Sequence, residues 1–334
     1  MPKSKIFKIA ELSKSFDETV ILDDVSFDIN RGEILAITGR SGAGKSTLLK
    51  MLGGLIGANS GDIDFDGESI LPYADHLVPG HEEIKYMAQD FKLLHRRTVL
   101  ENLTEALLAF NDSFTEEKVQ QLTKIFRLQT ILDYSVEQLS GGEKQRLSMA
   151  RAMATEPQVL LLDEPFTQLD QLNRSTLFDA LRAANQELST TIVFITHQTD
   201  EIFQLADRVG VLVKMNLKQI DTPEKVFLQP NNLETAELFG KINVFNEQLL
   251  DAFHIDSKKG LIGLRPYHLK IRTKSQKNSL KASVLSCKFM GGYYQVVCEL
   301  EKNLKWTVHS EHAHKAGEQI FLSFEKSHLI EMNG

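Results

Sequence analysis

The sequence predicts an α/β domain wound on a parallel sheet, followed by a small all-β barrel. Three observations carry this. Short unbroken apolar runs recur at Ile34-Leu-Ala-Ile37, Val159-Leu-Leu-Leu162 and Ile192-Val-Phe-Ile195. Such runs read as strands buried on both faces, as in parallel sheets covered by helices. Between the first two runs, residues 98–155 show helical spacing and few strand signals. After Gly240 the texture changes to short alternating strands separated by Gly, Lys and Asn, as in a small barrel. The expected division is 1–240 for the α/β part, with a helical subdomain at about 90–155, and 241–334 for the barrel.

The elements follow in order. Val25, Phe27 and Ile29 alternate with Ser26 and Asp28, a half-exposed strand, and Asn30-Arg-Gly32 is a turn. After the buried strand at Ile34, Ser46–Leu52 reads as a helix stopped by Gly53-Gly54. Helices are expected at Val99–Leu103, Glu116–Arg127 and Glu143–Ala154. The next two buried strands run into Asp163-Glu164 and Thr196-His197. In open α/β sheets ligands bind beyond the carboxyl ends of the strands, so chemistry is directed to one edge. The turn at Lys214–Lys218 has no glycine, and Asn216 is expected to take its left-handed position. A last helix at 233–239 is stopped by Gly240. Barrel strands are expected at Tyr293–Leu300 and Trp306–Val308.

Composition narrows the class. With 334 residues the chain has room for about two domains. It is 42% hydrophobic and 25% charged, ordinary for a globular protein. The first residues lead into no apolar stretch of signal-peptide length, and no run approaches the ~18 apolar residues of a membrane span. The expectation is a chain on the cytosolic side that reaches a membrane only through a partner. Its two cysteines, Cys287 and Cys298, suggest neither a disulfide framework nor a metal site and are expected as small core residues on neighbouring strands. The net charge is −7, yet residues 241–334 hold 14 Lys and Arg against 9 Asp and Glu. A basic barrel admits contact with nucleic acid or anionic lipid, although a solvated face is the plainer reading.

Two glycine-rich loops carry the chemistry. Gly39 to Ser46 fits G-x-x-x-x-G-K-[ST] between a strand and a helix. Its glycines permit positive φ and close backbone approach, so successive amides wrap phosphate oxygens, and the following helix adds its dipole. Gly39, Ser41, Gly42, Gly44, Lys45, Ser46 and Thr47 are the expected phosphate-holding residues of a nucleotide site. Lys45 is placed for the β- and γ-phosphates and the Ser46 hydroxyl for Mg2+. Asp163 at a strand end is expected to hold Mg2+ through water, and Glu164 to act as general base toward the attacking water. The second loop, Ser140-Gly141-Gly142, lies 23 positions before Asp163 and opens a helix at Glu143, a second anion site. One chain is not expected to fold both loops onto the same phosphate, so the pair implies a head-to-tail dimer.

The order of Gly39–Thr47, Gln89, Leu139–Arg146, Leu160–Glu164, Leu169-Asp170 and His197 resembles the nucleotide-binding subunit of an ATP-binding-cassette (ABC) transporter. The resemblance covers about residues 5–240 and implies a P-loop NTPase fold with a helical subdomain. It implies a homodimer enclosing two ATP molecules, with Ser140, Gly141 and Gly142 on the γ-phosphate held by the other subunit. It assigns Gln89 to Mg2+ and the attacking water, His197 to the γ-phosphate, Asp170 to the loop crossing the dimer interface, and Phe16 to stacking on adenine. Gln168 stands where a small residue is usual. His95-Arg96-Arg97 departs from the family frame in the segment that receives the membrane subunit. Gly263-Leu-Arg-Pro266, Ile271 and Gly291-Gly292 resemble the small OB-like (TOBE) barrel of importer ATPases of the ferric-iron, polyamine and sulfate branches.

That resemblance implies an ATPase driving uptake of a small solute through separate transmembrane permease subunits, indirectly served by a solute-binding protein. Its place is peripheral, on the cytoplasmic side of the inner membrane. The alternative is a cassette ATPase acting on nucleic acid through the barrel, with Tyr293-Tyr294 and Trp306 as its best stacking candidates. A regulator that binds ATP without hydrolysing it is disfavoured by intact Lys45, Asp163, Glu164 and His197.

Overall fold

A computed structural model describes residues 4–70, 80–88, 93–167, 169–256, 260–275, 279–300 and 304–333. Gln89 and Gln168 lie outside the described residues. The chain divides into two compact units, 1–223 and 224–334.

The first unit contains β1 (Lys5–Phe16), β2 (Thr19–Asn30), β3 (Ile34–Gly39), α1 (Lys45–Leu52), β4 (Ser60–Phe65), β5 (Glu68–Ser69) and β6 (Ile84–Met87). The helices α2 (Val99–Glu105), α3 (Asp112–Ile125) and α4 (Gly141–Met153) follow. The unit closes with β7 (Val159–Asp163), α5 (Gln171–Leu188), β8 (Thr191–Ile195), α6 (Thr199–Leu205), β9 (Arg208–Val213) and β10 (Asn216–Asp221). One sheet has the order β10-β9-β3-β8-β7-β6, and β6, β7, β8, β3 and β9 run parallel. A second, antiparallel sheet has the order β2-β1-β4-β5.

The three apolar runs are the centre of the parallel sheet. Ile34–Ile37, Val159–Leu162 and Ile192–Ile195 are buried throughout. The register Ile34↔Ile192 and Leu160↔Ile192 aligns β3, β8 and β7, so the ends at Gly39, Asp163 and Ile195 emerge at one edge. A single core joins the two sheets and α1 through Phe7, Leu22, Val25, Ile37, Leu48, Leu52, Leu161 and Val193. Burying each such side chain contributes about 1.5–3 kcal/mol, which makes this edge a rigid platform.

The helices start where side chains can satisfy their free amides. Thr98 and Glu101 cap α2 reciprocally, and Asn111 accepts from the Phe114 amide at 2.9 Å to start α3. That cap places α3 four residues ahead of the Glu116 expected from periodicity alone. The expected strand at Val25–Ile29 extends over Thr19–Asn30, and its partner β1 was not marked by the sequence pattern.

One expected turn is corrected. β9 and β10 are joined by a two-residue hairpin whose left-handed residues are Lys214 (φ 47°) and Met215 (φ 70°), while Asn216 already belongs to β10. Such hairpins need positive φ at both central positions. The Met215 carbonyl accepts from the Asp23 amide at 2.9 Å, and Asn216 Nδ2 donates to the Asp23 carbonyl at 2.6 Å. These contacts fix the turn one residue earlier than local propensity suggests.

The second unit takes in α7 (Pro223–Leu228) from Glu224 onward, with α8 (Leu233–Leu238), β11 (Asn243–Val244) and α9 (Glu247–Phe253). Strands β12 (Gly260–Leu264), β13 (Lys270–Arg272), β14 (Leu280–Phe289), β15 (Tyr294–Glu299), β16 (Lys305–Ser310), β17 (Gln319–Ser323) and β18 (Ile330–Asn333) complete it. They form sheets β11-β12-β18 and β13-β17-β14-β15-β16 around one apolar core that includes Ile262, Val284, Val296, Trp306 and Leu322. Cys287 and Cys298 fall on the neighbouring strands β14 and β15. The sequence texture changes at Gly240, whereas the unit starts at residue 224. Arg265 supplies the physical reason: its guanidinium donates to the carbonyls of Phe227, Ala236 and Gly240, so α7 and α8 are tied to the strand that follows them.

Candidate functional site

The loop after β3 delivers the first cluster. Ala43 N donates to the Arg40 carbonyl at 3.2 Å, and Leu48 N to the Gly44 carbonyl at 2.9 Å, which folds Gly39–Gly44 into a tight loop entering α1. Gly44 has φ 93°, and a Cβ there would meet the Ile21 carbonyl at 2.7 Å, so only glycine fits. Ser41, Gly42 and Ser46 are exposed and Thr47 is half-buried. Lys45 is only 8% exposed. Its Nζ donates to the Gly39 and Arg40 carbonyls, each at 3.0 Å. Burial pushes its ammonium below the usual lysine range, and the charges of Glu164 and Asp163 oppose that shift.

Two other strand ends meet this loop. Ser46 Oγ donates to Asp163 Oδ1 at 3.1 Å. Glu164 follows with φ 50°, a left-handed backbone that is uncommon for a non-glycine residue and that clusters at functional sites. His197 Nδ1 lies 3.7 Å from Glu164 Oε1. The residues flanking His197 are held from below. The Gln198 amide donates to Thr196 Oγ1 at 3.0 Å, Thr196 Oγ1 donates to buried Glu201, and Arg174 donates to Gln198 Oε1 at 2.9 Å. Lys45, Ser46, Asp163, Glu164 and His197 thus form one constellation on three strand ends.

A second cluster forms at the start of α4. Ser140 caps the helix: its hydroxyl accepts from the Glu143 amide at 3.3 Å and donates to Glu143 Oε2 at 2.7 Å. Those Ser140 donors hold the Glu143 carboxyl below the usual range. Asp170 caps α5, accepting from the Asn173 amide at 2.8 Å and its side-chain amide at 2.9 Å, and these contacts lower its pKa. Asn173 Oδ1 in turn accepts from Arg146 of α4 at 3.3 Å. A Cβ at Gly142 would sit 2.6 Å from Asn173, so the glycine lets the two helix starts close on each other. Gly141 has open space around it. Ser140, Gly141, Gly142 and Asp170 therefore share one surface. Leu172, beside Asp170, is 78% exposed.

Phe16 ends β1 with its ring 49% exposed, and Lys14 Nζ lies 5.1 Å from the ring centroid. It is not a core residue. Gln89 falls outside the described residues, three positions after Tyr86.

Three residues that the sequence reading missed hold the site together. Tyr86 OH donates to Asp163 Oδ2 at 3.0 Å. Arg174 also donates to the Leu169 carbonyl at 3.2 Å, and Asn173 bridges the two helix starts as described. Tyr86 had a legible signal: it pairs with Leu161, two residues before Asp163, and residues two apart share a strand face. Asn173 could have been found as the third residue after an Asp cap, whereas Arg174 acts only through tertiary contacts.

The second unit weakens the nucleic-acid alternative. Trp306 is 1% exposed, and its indole N–H donates to the Val244 carbonyl at 3.2 Å, so it presents no face to a base. Tyr293 stacks on His309 at 4.0 Å.

A family model for ABC transporters matches residues 22–167, and one for the TOBE domain matches residues 262–330. The sulfate/thiosulfate import ATP-binding protein CysA of Escherichia coli K12 is 33% identical over 346 aligned residues, 96% of this chain and 94% of that protein. CysA 2 of Shewanella oneidensis is 33% identical over 89% of each chain. The solved structure of cbiO1 from Clostridium perfringens, part of the cbiONQ ABC transporter complex, is 27% identical with a TM-score of 0.61 over 67% of this chain and 91% of that one. The ATP-binding cassette MJ1267 has the same TM-score at 21% identity, a likeness of fold alone, over 71% of this chain and 99% of that one. The α/β unit with its phosphate loop, the small β unit after it and these relatives agree: the chain belongs to the ABC transporter family, as the ATP-binding and ATP-hydrolysing subunit of an importer that carries a TOBE domain.

Proposed function

We propose that two copies of this subunit pair head to tail and clamp ATP between the loop Gly39–Thr47 of one copy and Ser140-Gly141-Gly142 of the other. The observation that carries this reading is the contact between Ser46 and Asp163, with Glu164 and His197 beside it. It gathers phosphate-binding and acid–base groups at one sheet edge, with the second anion-binding loop on its own surface next to exposed Leu172. Large apolar side chains left in solvent beside polar anchors are what a covered interface needs.

In this reading the backbone amides of the loop and Lys45 hold the phosphates, and Phe16 stacks on adenine. Glu164 accepts the proton of the water that attacks the γ-phosphorus as the bond to the β–γ bridging oxygen breaks. His197 orients the γ-phosphate. Ser46, Asp163 and Gln89 would hold Mg2+, which when bound neutralises developing charge on the phosphates. The donors fit a hard cation, since a hydroxyl and a carboxylate oxygen already converge within 3.1 Å.

The importer works with membrane permease subunits. Among the described residues no helix is long and apolar enough to cross a membrane. We place the chain on the cytoplasmic face of the inner membrane, bound to its permease, with a solute-binding protein delivering cargo outside. The relatives named for sulfate and thiosulfate import make these oxyanions the first cargo to test. Replacing Glu164 by Gln should cut ATP turnover by roughly 10²-fold or more while nucleotide binding persists. Unchanged turnover would remove Glu164 from its role.

A further inference from the structure

Both oxygens of the Asp163 carboxylate are engaged, by donors of different kinds. Oδ1 accepts from Ser46 Oγ at 3.1 Å, and Oδ2 accepts from Tyr86 OH at 3.0 Å. Ser46 is exposed, and its hydroxyl turns about a single bond. Tyr86 is half-buried on β6, and its ring packs against the core formed by α1 and the two sheets. An ordinary phenol is already protonated at physiological pH, so this hydroxyl is a standing donor.

The backbone sets this contact. β6 and β7 run parallel with Tyr86 opposite Leu161, so Tyr86 and Asp163 leave the sheet on one face, a diagonal step of one strand and two residues apart. The reach of a phenol matches that step. A phenylalanine would keep the ring packing and lose only the donor, so the hydroxyl is separable from the fold.

We propose that Tyr86 is a positioning residue of the nucleotide site, whose hydroxyl pins Oδ2 of Asp163 so that Oδ1 stays presented beside Ser46 for the Mg2+–ATP complex. This rests on the reading of Ser46 and Asp163 given above. Of the two donors, Ser46 is exchangeable and leaves for the cation, while Tyr86 is permanent and stops the carboxylate from rotating away. A carboxylate released from that bond has to be reordered each time the cation binds, which weakens the cation-dependent part of nucleotide affinity and leaves the cation-independent part alone.

The test uses the full-length chain and its Tyr86→Phe variant. ATP binding is titrated in EDTA and then across a range of MgCl2, with ATPase turnover and melting temperature measured beside it. In EDTA the two proteins should bind ATP equally and melt together. The MgCl2 concentration giving half of the cation-dependent gain in affinity should rise roughly 3- to 10-fold in the variant, as expected for one lost hydrogen bond to a charged group. In an Asp163→Asn background the same Tyr86 change should have no further effect, because the two residues act as a unit. A variant with the wild-type MgCl2 dependence overturns the proposal, as does one that loses affinity equally with and without the cation. A wild-type protein whose ATP binding ignores MgCl2 overturns the underlying reading of Ser46 and Asp163, and is recognised without reference to Tyr86.

Discussion

Lys45 in the first unit and Arg265 in the second are both buried cations that donate to backbone carbonyls, and they serve opposite ends. Lys45 makes two such contacts, to Gly39 and Arg40, inside a loop whose neighbours Ser41, Gly42 and Ser46 are exposed. Arg265 is 2% exposed and donates to Phe227, Ala236, Gly240 and Lys241, with the Phe227 ring 4.5 Å from its guanidinium carbon. Burial lowers the pKa of both. The planar fork of arginine closes a helix end and commits both of its terminal nitrogens to backbone carbonyls. The ammonium of lysine rests on loop carbonyls that, in the function proposed above, phosphate oxygens replace, with Asp163 and Glu164 close by. The same desolvated charge is structural where its partners are enclosed, and functional where they face a ligand.

The largest expected effect lies on the structural side. Arg265→Met leaves the buried Ala236 carbonyl without its donor, and should cost about 1–3 kcal/mol of stability in denaturant unfolding. ATP binding to the first unit should survive it. A loss under 1 kcal/mol would dissolve the contrast.

Lys45→Met is the matching probe on the functional side. A lysine pKa lowered by burial means that the folded state holds its proton less readily than the unfolded chain. Between the lowered pKa and the ordinary 10.5, stability therefore rises with pH, and at neutral pH the charged ammonium is a net cost. The variant should lose ATP binding outright yet melt, without nucleotide, at the same temperature or higher. Melting well below wild type would make Lys45 a structural cation like Arg265.

Glu201 gives the smallest and most specific signal. It is 3% exposed, and burial raises its pKa, against the pull of Thr196 and Arg174. The folded state thus keeps the proton more tightly, so stability falls as pH rises through the window that opens at the ordinary 4.5. Glu201→Gln removes that term. A plot of melting temperature against pH should show wild type losing ground to the variant from about pH 4.5 upward, and parallel curves would contradict this.

These residues also mark where the sequence was legible. The phosphate loop, Asp163-Glu164 and the Ser140 cap could be read because their chemistry is local: glycine at fixed intervals, acids after an apolar run, a hydroxyl three residues before a glutamate. The fold class followed from the three buried runs for the same reason. Arg174 and Arg265 could not be read, because each acts on a residue brought near by packing, as with Arg265 and Phe227, 38 positions apart. The hairpin at Lys214-Met215 shows the same thing in reverse, since contacts with Asp23 override the local preference for Asn216. The change in texture at Gly240 and the compact unit that starts at residue 224 differ because the Arg265 contacts act across the sequence.

The central claim is that each ATP is enclosed by loops from two copies of the chain. The direct measurement is the solution mass of Glu164→Gln by light scattering with ATP, beside a Glu164→Gln, Ser140→Arg double variant. The account predicts a doubled mass for the first, from nucleotide held between copies, and the single-chain mass of 37.7 kDa for the second. A single-chain mass for Glu164→Gln with ATP bound, or equal dimerisation of both variants, would contradict it.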